Sequence, residues 1–114
     1  MSEEDLKLIT LARGARGRVG AAAGAAIRDE TGRSYASANV ALDNLRLSAL
    51  QLVVATAVAA GAKGCELAVV LAEDGLPDPA GLAALRDFAG HDVTVLGCTP
   101  SGSVVTRQVS GDTA

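Results

Sequence analysis

The stretch Leu45–Gly61 reads LRLSALQLVVATAVAAG and carries no charged residue after Arg46. Its leucine, alanine and glutamine residues favour a helix, so we predict about 4–5 helical turns that end at Gly61. The apolar residues go nearly all the way round this helix, which is typical of a helix that is buried or that crosses a membrane. The uncharged run is shorter than the ~20 residues of a membrane span. We therefore expect a buried central helix, covered by a sheet on one side and by another element or subunit on the other.

The composition limits the class of protein. The chain has 114 residues, enough for one domain with its own core, and its only aromatic residues are Tyr35 and Phe88. So few rings leave little to stack on a flat ligand. The formal net charge of −3 argues against nucleic acid as a partner, because phosphate binding needs a basic surface. The two cysteines are too few for a disulfide scaffold and the opening MSEEDLK is unlike a secretion signal, so we expect a cytoplasmic protein.

The beginning of the chain predicts a helix followed by a basic loop. Helical spacing of apolar residues favours a helix over about Glu3–Gly14, with Ser2 as its cap. The run Arg13–Arg18 (RGARGR) predicts a solvated loop, and an anion-binding loop is the alternative.

A hairpin is predicted before the central helix. Asp29–Gly32 (DETG) is a hairpin signal, so two antiparallel strands should be joined at Thr31-Gly32. The segment Asn39–Asn44 is then the loop into the central helix, with Asp43 or Asn44 as the N-cap.

The second half of the chain predicts alternating strands and a helix. Cys65–Ala72 (CELAVVLA) and Val93–Cys98 (VTVLGC) are continuous apolar runs of the kind that form buried strands. Asp78 can cap a helix over Ala80–Ala89, with Pro79 in its first position. Residues 103–108 predict a last edge strand.

We predict one domain over residues 1–109 and a disordered tail over residues 110–114. The order of elements is helix, two strands, helix, strand, helix, strand, strand. Strands joined through a crossover helix are parallel, so the order predicts an α/β fold. Its form is a three-layer α-β-α sandwich with a mixed sheet of about five strands and an N-terminal antiparallel hairpin.

This layout and parts of the local sequence resemble the cytidine deaminase family of small zinc-dependent nucleoside deaminases. The resemblance covers residues 6–88 and includes Ala12-Arg13 at the end of a helix and Asn39-Val40 before the central helix. It implies the cytidine deaminase-like fold. The small active members are homotetramers packed through their central helices, so the resemblance also implies a homo-oligomer.

The zinc motifs of that family align with other residue types in this chain. The motif Cys/His-Ala-Glu matches Ser48-Ala49-Leu50 once two residues are deleted before it, and Pro-Cys-Gly-x-Cys-Arg matches without a gap from Pro77. The resemblance therefore implies that Ser48, Asp78 and Gly81 stand at the three ligand positions and Leu50 at the position of the catalytic glutamate. Glycine cannot coordinate a metal and leucine cannot carry a proton, so we predict no zinc, no other cofactor and no catalytic residue.

Other residues offer little for a metal site elsewhere. Cys65 opens one predicted strand and Cys98 closes a parallel one, which puts them at opposite ends of the sheet, roughly 15 Å apart. Within one subunit they cannot share a zinc ion or a disulfide, and we interpret both as buried thiols. We interpret His91, in the turn Gly90–Asp92, as a solvated residue.

Three functional interpretations follow. The first, which we favour, is a catalytically inactive cytidine deaminase-like protein. It would be a structural or regulatory interaction module, a homo-oligomer (tetramer or dimer) through the central helix, with a possible protein partner and no membrane association. The second is a nucleoside-binding module with a vestigial pocket, in which Asn39 and Ser48 hydrogen-bond a sugar or base. The third is an active cytidine deaminase. Under the first interpretation, Leu50 and Leu82 are expected to fill the old pocket with apolar side chains.

Overall fold

The order of helices and strands follows the alternation of apolar runs and turns in the sequence. The computed structural model describes residues 1–112. Within them the elements are α1 (Glu3–Val19), β1 (Gly24–Asp29), β2 (Ser34–Ala38), β3 (Val40–Leu42), β4 (Leu45–Leu47), α2 (Ala49–Ala59), β5 (Cys65–Leu71), α3 (Pro79–Ala89), β6 (Thr94–Cys98) and β7 (Val104–Val109).

Five of the strands form one mixed sheet in the order β2-β1-β5-β6-β7. The strands β5 and β6, which α3 connects, are parallel, and the other three pairs in this sheet are antiparallel. The helix α1 packs on one face of the sheet, whereas α2 and α3 pack against each other on the opposite face. This confirms the predicted three-layer α-β-α sandwich with an N-terminal antiparallel hairpin, and β7 is the predicted edge strand.

The core has two parts, one on each face of the sheet. Alternate residues of the buried strands point to opposite faces, so that Ala68 and Val70 of β5 join the cluster under α2 and α3. Their neighbours Leu67, Val69 and Leu71 join the cluster under α1. The α2–α3 cluster is the part of the core that lies beside the candidate site.

The first helix is longer than predicted. It continues through Arg13–Arg18, which is therefore helix, and the predicted loop is wrong. Arginine is a good helix former, and Ala12 and Ala15 bury the inner face of the helix on the sheet, which offsets the cost of its glycines. The helix ends at Gly20, whose φ of 62° is the left-handed conformation that glycine adopts without strain. The predicted cap is confirmed, because the Ser2 hydroxyl accepts a hydrogen bond from the Asp5 amide.

The central helix is shorter than predicted. It begins at Ala49, not at Leu45, and Leu45–Leu47 forms β4 instead. This strand pairs with β3 across the two-residue turn Asp43-Asn44, so the predicted loop and both predicted N-caps are wrong. Alternation of leucine with Arg46 suits a strand, and pairing with β3 outweighs the helix propensity of these residues. Within residues 1–112 no helix is long and apolar enough to span a lipid bilayer.

The β1–β2 hairpin is closed at the predicted Thr31-Gly32 turn by the buried carboxylate of Asp29. One oxygen accepts hydrogen bonds from the Thr31 amide, the Thr31 hydroxyl and the Arg33 amide, and the other accepts one from the Tyr35 hydroxyl. Burial alone would raise the pKa of Asp29, but these hydrogen bonds stabilise the carboxylate and the pKa lies below its usual value.

The first residue after β7 is packed against the turn that follows α3. Ser110 is buried, its amide donates to the carbonyl of Val93 and its hydroxyl donates to the carbonyl of Gly90. The packed domain therefore extends past Val109, further than predicted. The rest of the predicted tail, residues 113 and 114, lies outside the described residues.

Candidate functional site

The N-terminal ends of α2 and α3 lie side by side, and they bring Leu50, Asp78 and Gly81 together. A β-carbon placed on Gly81 would lie 2.6 Å from the β-carbon of Leu50 and 2.8 and 2.9 Å from the two carboxylate oxygens of Asp78. These three residues stand at positions that the sequence alignment placed in one site. The fold thus brings them into direct contact, although Leu50 and Gly81 are far apart in the sequence.

Ser48 is the N-cap of α2. Its hydroxyl oxygen accepts a hydrogen bond of 3.0 Å from the Gln51 amide, and the Gln51 side-chain oxygen accepts one of 2.9 Å from the Ser48 amide. This reciprocal capping box satisfies two of the amides that a helix N-terminus leaves without partners. The Ser48 hydroxyl therefore serves the helix backbone.

Asp78 has the same role at the start of α3. Its Oδ2 accepts a hydrogen bond of 2.7 Å from the Gly81 amide, and Pro79 occupies the first position of the helix. This confirms the predicted capping by Asp78. A carboxylate at a helix N-terminus is also favoured by the helix dipole.

Leu50 and Leu82 fill the space beside these caps with apolar atoms. The Leu50 side chain is 0% exposed and that of Leu82 is 4% exposed. Both belong to the cluster that α2 and α3 form with the sheet, together with Val53 and Leu85. Both side chains are thus part of the hydrophobic core, as expected from the sequence.

Asn39, the candidate nucleoside contact, lies between β2 and β3. Its side-chain oxygen accepts a hydrogen bond of 2.9 Å from the backbone amide of Ala23. The backbone amide of Asn39 donates a hydrogen bond of 3.4 Å to the Ala23 carbonyl. The residue therefore ties the end of the hairpin to the segment before β1. Ala41, two residues further along the chain, is exposed in β3.

The two cysteines are distant from each other and both are free. Cys65 begins β5 and packs toward the α2–α3 cluster, whereas Cys98 ends β6, opposite Leu71, and is buried under α1. They lie at opposite ends and on opposite faces of the sheet. Burial raises the pKa of the Cys65 thiol to about 12 and also raises the pKa of Cys98, so neither is a thiolate at neutral pH.

His91 is exposed in the turn after α3. Across the described part of the chain, no three His, Cys, Asp or Glu side chains lie close enough together to hold a metal ion.

Two residues that sequence reasoning missed complete the start of α2. Gln51 is the partner of Ser48 in a capping box, and the pattern Ser-x-x-Gln is a usable sequence signal for it. Ser37 of β2 donates a hydrogen bond of 2.8 Å to the carbonyl of Ala49, which fixes the first residue of the helix to the sheet. This second contact joins distant segments and had no local signal.

Comparison with known proteins places the fold. A family model described as cytidine deaminase-like matches residues 1–102. No curated protein gave a significant match. Among solved structures, a cytidine deaminase from Burkholderia pseudomallei superposes with a TM-score of 0.84 at 22% identity, covering 98% of this chain and 95% of that one.

Two mycobacterial structures give similar results. Cytidine deaminase from Mycobacterium leprae has a TM-score of 0.73 at 20% identity, over 96% of this chain and 95% of its own. A mutant cytidine deaminase from Mycobacterium tuberculosis has a TM-score of 0.75 at 21% identity, over 93% of this chain and 90% of its own. At these identities the superpositions establish the fold alone. With the family match over most of its length, the chain belongs to the cytidine deaminase-like family.

Proposed function

We propose that this chain is a catalytically inactive cytidine deaminase-like protein that acts as a structural or regulatory interaction module. The observation that carries the proposal is the contact of the fully buried Leu50 with Gly81 at the joined ends of α2 and α3. In the alignment these residues replace the catalytic glutamate and one zinc ligand. A leucine side chain has no proton to give or take, so the position cannot serve general acid–base catalysis.

The residues at this place do not fit a zinc ion. Zinc in proteins is held by side-chain sulfur, imidazole nitrogen or carboxylate oxygen, and Gly81 offers none of these. One carboxylate oxygen of Asp78 already accepts a hydrogen bond from the Gly81 amide. The Ser48 hydroxyl oxygen already accepts one from the Gln51 amide. A cysteine side chain at residue 81 would collide with Leu50 and Asp78.

The outward face of α2 supports the proposed interaction role. The helix contains no charged residue, and its exposed positions include Ala55, Ala59 and Val58. The Val58 side chain is 51% exposed beside Ala84 and Phe88 of α3. Asp87 of α3 lies at the same place, so the uncharged part of this surface is the α2 side. An uncharged, mainly apolar helix face of this kind favours contact with another protein surface, and we propose a second copy of this chain, as a dimer or tetramer in the cytoplasm.

Native mass spectrometry of the purified chain tests this proposal, with Val58→Glu as the disrupting variant. We expect an oligomer for the wild-type chain and a shift to monomer for the variant, because the new carboxylate would be buried without a partner. Leu76→Glu is the matched control, since Leu76 is 52% exposed but lies in the loop before α3. A monomeric wild-type chain, or equal effects of the two substitutions, would contradict assembly through α2.

The catalytic half of the proposal needs its own assay. We expect no turnover of cytidine or deoxycytidine by the wild-type chain at enzyme concentrations of about 10 μM, far above those at which enzymes are usually assayed. Turnover that copurifies with the chain through two unrelated columns would show that the proposed loss of activity is wrong.

A further inference from the structure

The N-terminal ends of α2 and α3 approach so closely that only glycine fits at the contact. A β-carbon on Gly81 would lie 2.6 Å from that of Leu50, shorter than real contacts between such atoms. Gly81 has no positive φ, so backbone conformation does not require glycine there. Glycine within a helix is less favourable than alanine, so helix propensity does not explain this residue either. Gly81 suits this position because it has no side chain to collide with Leu50.

Side chains on both helices continue this contact into the core. Leu50 belongs to the same buried cluster as Val53 of α2 and Leu82 and Leu85 of α3. On the other side of Gly81 lie both carboxylate oxygens of Asp78, and one of them accepts a hydrogen bond from the Gly81 amide. Leu50 and Asp78 together enclose Gly81. The start of α2 is also fixed to the sheet, because the Ser37 hydroxyl donates a hydrogen bond to the carbonyl of Ala49.

In the alignment, the zinc ligands stand at the starts of both helices, so a metal ion there would also join them. We propose that in this chain the Leu50–Gly81 contact, which we call the helix joint, holds the two helix ends together in place of a metal. The helix joint deepens the proposed function and rests on it, because it explains how the fold is kept after the ligands are replaced. A joint of packed carbon atoms works without zinc and leaves no space for a ligand.

The first arm of the test is the thermal midpoint of Gly81→Ala. A methyl group at residue 81 must push the helices apart, so we expect Tm to fall by about 5 °C or more. The control is Gly17→Ala in α1, where an added β-carbon meets nothing within 4 Å, and there we expect no fall in Tm. Equal Tm values for the two variants would overturn the helix joint.

The second arm asks whether the fall in Tm depends on Leu50. In a Leu50→Ala background the helices can separate more easily, so Gly81→Ala should cost at most about half as many degrees as it does in the wild-type chain. In a Leu96→Ala background, with the cavity on the opposite face of the sheet, its cost should be unchanged. If Leu50→Ala does not fold, Leu50→Val provides a milder background. Full additivity with the Leu50 variant would overturn the helix joint.

The third arm separates this inference from the proposed function. We expect the Tm of the wild-type chain to stay the same with EDTA and with added zinc, because no metal joins the helices. A fall of several degrees with EDTA would overturn both proposals. Additivity in the second arm without an EDTA effect would overturn the helix joint and leave the proposed loss of activity intact.

Discussion

At the start of α2, the side chains of Ser48 and Gln51 each accept a hydrogen bond from the other residue's backbone amide, at 3.0 and 2.9 Å. The resemblance in the zinc motifs predicts Ser48 at the first zinc-ligand position, and a serine hydroxyl is a polar group. The hydroxyl oxygen of Ser48 accepts the hydrogen bond from the backbone amide of Gln51. In this structure the residue thus stabilises the start of α2.

Replacing Ser48 by alanine should lower the free energy of unfolding by about 1 kcal/mol, the usual effect of losing an N-cap. Chemical denaturation at neutral pH measures this difference. Ser34→Ala, at an exposed position of β2, is the control and should change stability by less than about 0.5 kcal/mol. A Ser48 variant as stable as this control would show that the capping box contributes nothing.

Replacing Leu50 by glutamate should destabilise the chain instead of restoring activity, because the new carboxyl would be buried in the α2–α3 cluster. Burial raises the folded-state pKa of such a group above its unfolded value of about 4.3. Between these two values the folded state binds more protons, so stability falls as the pH rises.

Unfolding midpoints at pH 4 and pH 7 test this dependence, with Leu50→Gln as the matched control. The glutamine variant has similar bulk and no titrating group, so its loss of stability relative to wild type should be nearly the same at both pH values. The glutamate variant should lose clearly more at pH 7. Equal losses at the two pH values for the glutamate variant would mean that residue 50 reaches solvent.

Much of the second half of the fold could be predicted because its signals are local. The run Leu67–Leu71 of β5 is apolar on both sides of the strand, and Asp78 with Pro79 marks the start of α3 in adjacent residues. The first part of the central stretch could not be assigned in this way. The residues Leu45–Leu47 are compatible with a helix or a strand, and they form a strand because they pair with β3.

The site was predictable only in part. The alignment placed Leu50 and Gly81 in one region, and Leu50 and Leu82 were expected to fill it. The direct contact between Leu50 and Gly81 depends on how closely two helices approach, and that distance is set by tertiary packing. The extension of α1 through Arg13–Arg18 depends in the same way on burial of its inner face on the sheet.

Asp29 should make the hairpin sensitive to acid. Its pKa lies below the ordinary value of 3.8, so the stability that its carboxylate contributes is present above about pH 4 and is lost as the pH falls through the folded-state value. Asp29→Asn should therefore destabilise the chain at pH 7 and have a smaller effect at about pH 3. Asp43→Asn, in the exposed turn between β3 and β4, is the control. A constant difference between wild type and Asp29→Asn across this range would contradict the prediction.

Asn39→Ala distinguishes a structural role from nucleoside binding. It removes the acceptor for the Ala23 amide, so we expect a loss of about 1 kcal/mol in the free energy of unfolding. We expect no Tm shift of the wild-type chain with cytidine or deoxycytidine at about 1 mM, since a ligand well above its Kd would raise stability measurably. A Tm increase in the wild-type chain that Asn39→Ala abolishes would support the nucleoside-binding alternative.

The most direct test of the account is the zinc content of the chain, purified without a tag and without chelators, by elemental analysis. Glycine at residue 81 and the caps formed by Ser48 and Asp78 predict less than about 0.1 zinc ion per chain, because a structural or catalytic site binds zinc tightly enough to survive purification. About one zinc ion per chain would contradict the central claim and would place a metal site among residues to which we assign other roles.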